Sequence, residues 1–73
     1  LEIVEKGEQI LKNFGFDCCR LRLHNDVARI EILPENFQKL LTQKEKLIKK
    51  LKQFGIKYIT LDIEGFQSGS MDR

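Results

Sequence analysis

The sequence contains little of what metal sites and membrane spans require. It has one histidine and two cysteines, and Cys18 and Cys19 are adjacent rather than in a C-x-x-C spacing. A zinc site built from this chain alone is therefore not expected. No apolar run approaches the ~20 residues of a membrane-spanning helix, and no signal-peptide pattern opens the chain. We expect no membrane partner and a cytoplasmic protein.

Recognisable catalytic motifs are also missing. The chain has no glycine-rich phosphate loop followed by a helix, no His-Glu-x-x-His and no nucleophile elbow, so no catalytic residue is assigned. A formal net charge of +2 is too small to indicate a nucleic-acid partner. The lysines between Lys44 and Lys52 alternate with apolar positions without interleaved aromatic residues, which is typical of the solvated face of a helix.

The composition is that of an ordinary small globular domain. The chain has 73 residues, of which 41% are hydrophobic and 33% charged. We assign residues 1–64 to a single domain and residues 65–73 to a C-terminal tail that contains glycine and serine. Cys18 and Cys19 would face opposite sides of a strand, so a disulfide between them is geometrically poor.

Two stretches have helical periodicity. The first opens the chain and is expected to end at Gly15, and the second is expected to end at Gly55. Thr42 and Glu45 have the Thr-x-x-Glu spacing of a capping box, which predicts the start of the second helix. A short helical turn should follow Pro34. The apolar stripes consist of Ile3, Val4, Gly7, Ile10, Leu11 and Phe14 in the first helix, and of Leu47, Ile48, Leu51 and Phe54 in the second.

Three further segments alternate apolar and polar residues, as half-buried strands do. The first two are joined by a turn at His24-Asn25-Asp26. The alternation predicts an apolar sheet face made of Cys19, Leu21, Leu23, Ala28, Ile30, Ile32, Ile59, Leu61 and Ile63. The opposite face, called the polar face below, consists of Arg20, Arg22, His24, Arg29, Glu31, Tyr58, Thr60 and Asp62.

These elements predict an α+β fold with the order α-β-β-α-β. We expect a three-stranded antiparallel sheet of order 2-1-3, because a right-handed crossover would carry the third strand past the first. Both main helices should cover one sheet face, which gives a ferredoxin-like half.

The polar face has two interpretations. Arginines beside carboxylates suit a surface for a phosphate, a metal or another domain. Cross-strand ion pairs on a solvated sheet have the same composition and contribute little each.

Three stretches together carry a resemblance to a known family. They are EKGEQILKNFGF, RLRLHNDVARIEI and FGIKYITLDIEGFQSGSM, and they cover nearly the whole chain. They resemble the C-terminal region of the PP-loop ATP pyrophosphatase family that includes the ATP-dependent sacrificial sulfur transferase of nickel-pincer cofactor synthesis. Phe66 and Gln67 stand where this family usually has Tyr and Arg.

The resemblance implies that the parent protein is an ATP-dependent sulfur transferase. An N-terminal PP-loop domain, outside this chain, would adenylate a substrate carboxylate with ATP and magnesium before sulfur is transferred. The domain seen here would need no cofactor of its own. It would supply substrate and subunit contacts, with its own N-terminal PP-loop domain as partner and a homo-oligomer as the assembly.

The resemblance also implies roles for particular residues. Arg20 and Arg22 match an Arg-x-Arg pair suited to holding a phosphate or an anionic intermediate. Ser68 and Ser70 match the closing motif of the family and are assigned to the same substrate or phosphate site. Glu8 matches an acidic position near the sulfur-transfer site and is assigned to metal binding.

The alternative comes from a different class of protein. It is a free-standing module that binds an anion or a protein segment without catalysis.

Overall fold

The computed structural model describes residues 2–67, which form three α-helices, one 3-10 helix and three strands. The α+β class and the number of strands are confirmed. In chain order the elements are α1 (Glu2–Asn13), β1 (Cys19–His24), β2 (Val27–Ile32), a 3-10 helix (Pro34–Asn36), α2 (Phe37–Thr42), α3 (Lys44–Lys52) and β3 (Tyr58–Leu61).

The sheet is mixed, with the order β1-β2-β3. β1 and β2 form the predicted antiparallel hairpin, whereas β3 runs parallel to β2. The predicted antiparallel sheet of order 2-1-3 is therefore wrong, and the ferredoxin-like half that rested on it is not confirmed. The helices between β2 and β3 return the chain to its starting end, so β3 pairs directly with β2 as in a β-α-β unit. This pairing makes β2 the central strand.

The predicted apolar face forms the core. Leu21, Ala28 and Ile30 are buried there, together with Leu11 of α1 and Leu51 of α3. The two longer helices therefore share this face of the sheet, as expected. Each fully buried leucine or isoleucine side chain contributes ~1.5–3 kcal/mol.

Ile63 was expected on the apolar face, and that prediction is wrong. Ile63 is 82% exposed because β3 ends at Leu61. The chain then turns, since the amide of Gly65 donates to the carbonyl of Asp62 at 2.9 Å. The turn ends the strand although the alternation of residue types continues to Ile63, so the pattern alone placed this residue on the wrong face.

Gly15 ends α1 as predicted. Its φ of +100° is a left-handed conformation that favours glycine. The amide of Gly15 donates to the carbonyl of Lys12 at 2.9 Å, and the amide of Phe16 donates to that of Leu11 at 3.0 Å. This pair of hydrogen bonds is a Schellman motif, and Leu11 and Phe16 are both buried beside it.

The predicted capping box at Thr42 is wrong. Thr42 is the last residue of α2, and its hydroxyl donates to the carbonyl of Gln38 at 2.9 Å. Gln43 precedes α3 and makes no side-chain capping bond. Bonding back to the preceding turn is an alternative that threonine hydroxyls often take, and it removes Thr42 from the capping role.

Part of the assigned tail contacts the domain. Gly65 is buried, and the amide of Phe66 donates to the carbonyl of Ile32 at 2.7 Å. Ser68 and Ser70 lie outside the described residues. No helix between residues 2 and 67 is long and apolar enough to cross a membrane.

Candidate anion-binding site on the polar face

The pairing of β1 with β2 places the arginines of the polar face close to one another and to Glu31. Arg20 pairs with Glu31 across the two strands, and Arg22 pairs with Arg29. Thr60 of β3 is the neighbour of Arg29 on the other side. Two like charges directly opposite each other are destabilising, so Arg22 and Arg29 require a nearby carboxylate.

Glu31 supplies that carboxylate. Its side chain is only 5% exposed, and its Oε2 accepts a bond from Nε of Arg22 at 3.3 Å and one from Nη2 of Arg29 at 3.1 Å. A buried carboxylate is stable only when it is paired and hydrogen-bonded, and here one oxygen serves two guanidinium groups. Sequence reasoning placed Glu31 on the polar face but missed this double contact, which depends on the strand register.

Arg29 also lies near a second carboxylate. Its Nε is 3.8 Å from Oδ2 of Asp62, close enough for an ion pair but too long for a hydrogen bond. Within residues 2–67 this buried Nε atom has no hydrogen-bond partner. In the described part of the face, Arg22 and Arg29 thus pair with the carboxylates of Glu31 and Asp62, and Arg20 adds a third positive charge that these two carboxylates do not balance.

Arg20 is held differently from the other two arginines. Its guanidinium carbon lies 5.8 Å from the centre of the Phe66 ring, a distance suited to a cation–π contact. Arg20 is exposed and forms no ion pair with any residue between 2 and 67. Its hydrogen-bond donors are therefore available to an anion, while Phe66 limits where the side chain can point.

Glu8 lies at the outer edge of β1. Its Oε2 accepts the backbone amide of Leu21 at 2.9 Å, so the half-buried carboxylate already has a structural partner. Within the described chain, no three His, Cys, Asp or Glu side chains come together in a way that could hold a metal ion. A metal bound at Glu8 would need further ligands from elsewhere, and the assignment stays a prediction.

The two cysteines differ in environment. Cys18 is exposed, whereas Cys19 is half-buried and its Sγ lies 3.8 Å from the backbone carbonyl oxygen of Glu8. Burial raises the pKa of the Cys19 thiol, and the negative charge of Glu8 raises it further. Cys19 is therefore held in its neutral form, which is the unreactive form of a thiol.

The arginines are separate from the apolar groove of the domain. That groove lies between the helices and β3, and its lining includes Leu40, Leu47, Ile59 and Leu61 but none of the three arginines. The side chains of Arg22 and Arg29 are 42% and 40% exposed, so an anion would reach them on an open sheet face.

The fold and the polar face thus define a small α+β domain with an arginine-rich sheet surface. The chain is similar to pyridinium-3,5-bisthiocarboxylic acid mononucleotide synthase of Lactiplantibacillus plantarum, with 38% identity over 69 residues that cover 94% of the chain and 25% of the relative. No model of a protein family matches the chain.

Two uncharacterised proteins are similar over the same extent. One, from Synechocystis, is 36% identical over 75 residues that cover 100% of the chain and 28% of that protein. The other, from Methanocaldococcus jannaschii, is 32% identical over 68 residues, which are 93% of the chain and 27% of that protein. The chain therefore spans about a quarter of the length of the curated relatives it matches.

Proposed function

We propose that this chain is the C-terminal accessory domain of an ATP-dependent sulfur transferase of the PP-loop ATP pyrophosphatase type. The observation that carries the proposal is the pair Arg20 and Arg22, side by side on the polar face of a chain similar to a bisthiocarboxylic acid mononucleotide synthase. The product named for that relative bears thiocarboxylate groups and a nucleotide phosphate. Guanidinium groups bind such planar or tetrahedral anions through two parallel hydrogen bonds.

In this proposal the domain binds the anionic part of the substrate and does not carry the ATP loop. Arg20 and Arg22 contact the phosphate or carboxylate, and Ser68 and Ser70 add hydroxyl donors. An N-terminal PP-loop domain holds ATP and magnesium and activates the carboxylate, and the full protein is a cytoplasmic homo-oligomer. The share of the relatives that the chain covers supports this division, because about three quarters of their length lies outside the match.

The test uses the full-length protein that contains this chain. Arg20→Ala and Arg22→Ala should each lower ATP-dependent sulfur incorporation by about a hundredfold, because the substrate anion is no longer positioned. Lys46→Ala is the matched control, since it removes an exposed positive charge from α3. Circular dichroism should show the same fold in all three variants. Normal turnover in both arginine variants would overturn the proposal.

A second measurement separates this proposal from the free-standing binding module. The intact mass of the native protein should be roughly 30 kDa, as for a protein of two or more domains. A native mass near the 8.6 kDa of this chain would leave no room for an ATP-binding domain and would favour the module.

A further inference from the structure

We propose that Glu31 is a positioning residue that aims Arg22 at the bound anion. The inference rests on the proposed function, because it assumes that Arg20 and Arg22 hold an anion. It deepens that function by naming the group that sets the geometry of the site. Glu31 itself is too buried to contact the ligand.

Within the described residues, Arg22 is held through one of its three guanidinium nitrogen atoms. Glu31 accepts the bond from Nε, the inner nitrogen of the guanidinium group. Among the described residues nothing bonds to the two terminal Nη nitrogens of Arg22, whose side chain is 42% exposed. These two nitrogens form the edge that can donate two parallel bonds to a phosphate or a carboxylate. Binding Nε therefore fixes the plane of the group and leaves the ligand-binding edge open.

The carboxylate of Glu31 is itself buried and held in place. Glu31 lies on the central strand with its side chain 5% exposed, and Arg29 bonds to the same Oε2 atom as Arg22 does. A buried carboxylate held by two partners has little freedom, so its position is set before any ligand arrives. Holding a binding group in place in advance lowers the entropic cost of binding.

Charge and geometry predict opposite effects of removing this carboxylate. Glu31→Gln removes one negative charge from the face, which alone should strengthen anion binding. If Glu31 acts by positioning, the loss of a charge-assisted bond frees Arg22 and weakens binding instead. The sign of the change therefore distinguishes a positioning role from a purely electrostatic one.

The 73-residue chain is titrated with inorganic phosphate, and binding is monitored through the NMR signals of the arginine side chains. Glu31→Gln should weaken phosphate binding about tenfold, because the neutral amide oxygen that remains holds Arg22 less firmly than the carboxylate does. Asp26→Asn is the matched control, because Asp26 carries an exposed carboxylate near Lys57. It removes the same charge and should leave the affinity unchanged or slightly higher. Unchanged or tighter binding by Glu31→Gln would overturn the proposal.

A measurement on the unaltered chain covers the case in which Glu31→Gln does not fold. The Nε–H signal of Arg22 should exchange with water more slowly than that of Arg20, and phosphate should shift the Nη signals of Arg22 more than its Nε signal. Equal exchange, or a larger shift at Nε, would contradict the positioning role.

Failure of the proposed function has a different signature. In that case Arg20→Ala and Arg22→Ala would leave phosphate binding intact, or the unaltered chain would show no saturable binding at all. Both results would also overturn the role of Glu31. If both arginine variants lose binding but Glu31→Gln does not, only the positioning role is wrong.

Discussion

The backbone amide of Leu21 donates a hydrogen bond of 2.9 Å to Oε2 of Glu8. This bond joins α1 to β1, which is an edge strand of the sheet. Edge strands carry backbone groups without a strand partner, and Glu8 satisfies one of them. Because Leu21 lies between Arg20 and Arg22, the bond also fixes the segment that presents the arginine pair.

Replacement of Glu8 should therefore affect stability. Glu8→Ala should lower the free energy of unfolding by about 1–2 kcal/mol, because the half-buried amide of Leu21 loses its acceptor. Glu8→Gln keeps an acceptor oxygen and should cost less. Glu5→Ala, at an exposed position of the same helix, is the control and should change little. Urea unfolding measures all three, and equal losses for Glu8→Ala and Glu5→Ala would contradict the structural role.

The same pair of variants bears on the predicted metal role of Glu8. If this carboxylate also binds a metal, Glu8→Gln should reduce the sulfur transfer proposed for the full-length protein while retaining most of the stability. A variant with normal activity would leave only the hydrogen bond to Leu21 as the function of this side chain.

The local pattern of residues predicted the two sheet faces but could not predict the sheet order. Ile59 and Leu61 alternate with polar residues in the same way whether β3 pairs with β1 or with β2. The choice depends on how the helices return the chain, which is a long-range property. The contacts of Glu31 were missed for a related reason, since they require the register that places Arg22 opposite Arg29. Gly15 and Gly55 were predictable because a helix end is decided by a few neighbouring residues.

Gly7 is buried where α1 packs against Leu21 of the sheet. A Cβ atom at this position would overlap Cδ2 of Leu21 and lie 3.6 Å from Cδ2 of Leu51. Gly→Ala inside a helix normally stabilises by up to ~1 kcal/mol. Here overpacking against a buried leucine costs ~1–3 kcal/mol, so Gly7→Ala should be destabilising by about 1 kcal/mol net.

A double-mutant cycle tests the cause of this loss. Leu21→Val removes the δ-methyl groups that the new Cβ would meet, so Gly7→Ala should cost less in that background. Thermal unfolding of the two single variants and the double variant gives the coupling. If Gly7→Ala stabilises the unaltered protein, the close approach of α1 does not require glycine.

Gly15 and Gly55 both have a left-handed backbone conformation, so alanine substitutions at the two positions can be compared for their effect on stability. Their φ angles are +100° and +85°, and alanine at either position should cost about 1–2 kcal/mol. A Cβ at Gly15 would also lie 2.5 Å from Nζ of Lys39, whereas nothing lies within 4 Å at Gly55. Lys39 donates to the carbonyl of Gly15 at 3.1 Å and lies over the Phe16 ring. Gly15→Ala should therefore be the more destabilising change, and a greater loss from Gly55→Ala in urea unfolding would contradict this account.

The environments of Cys18 and Cys19 predict different reactivity. At about pH 8 the chain with Cys19→Ser, which retains the exposed Cys18, should be alkylated by iodoacetamide several times faster than the chain with Cys18→Ser. In denaturant the two single-cysteine chains should react at similar rates, and a difference that persisted there would show that folding is not its cause.

The raised pKa of Cys19 means that the folded chain holds this proton more tightly than the unfolded chain does. Its contribution to stability is therefore complete below the pKa of the unfolded thiol, about 8.5, and is lost as pH rises through the folded pKa. Stability should fall less steeply above that pH in Cys19→Ser than in the unaltered protein.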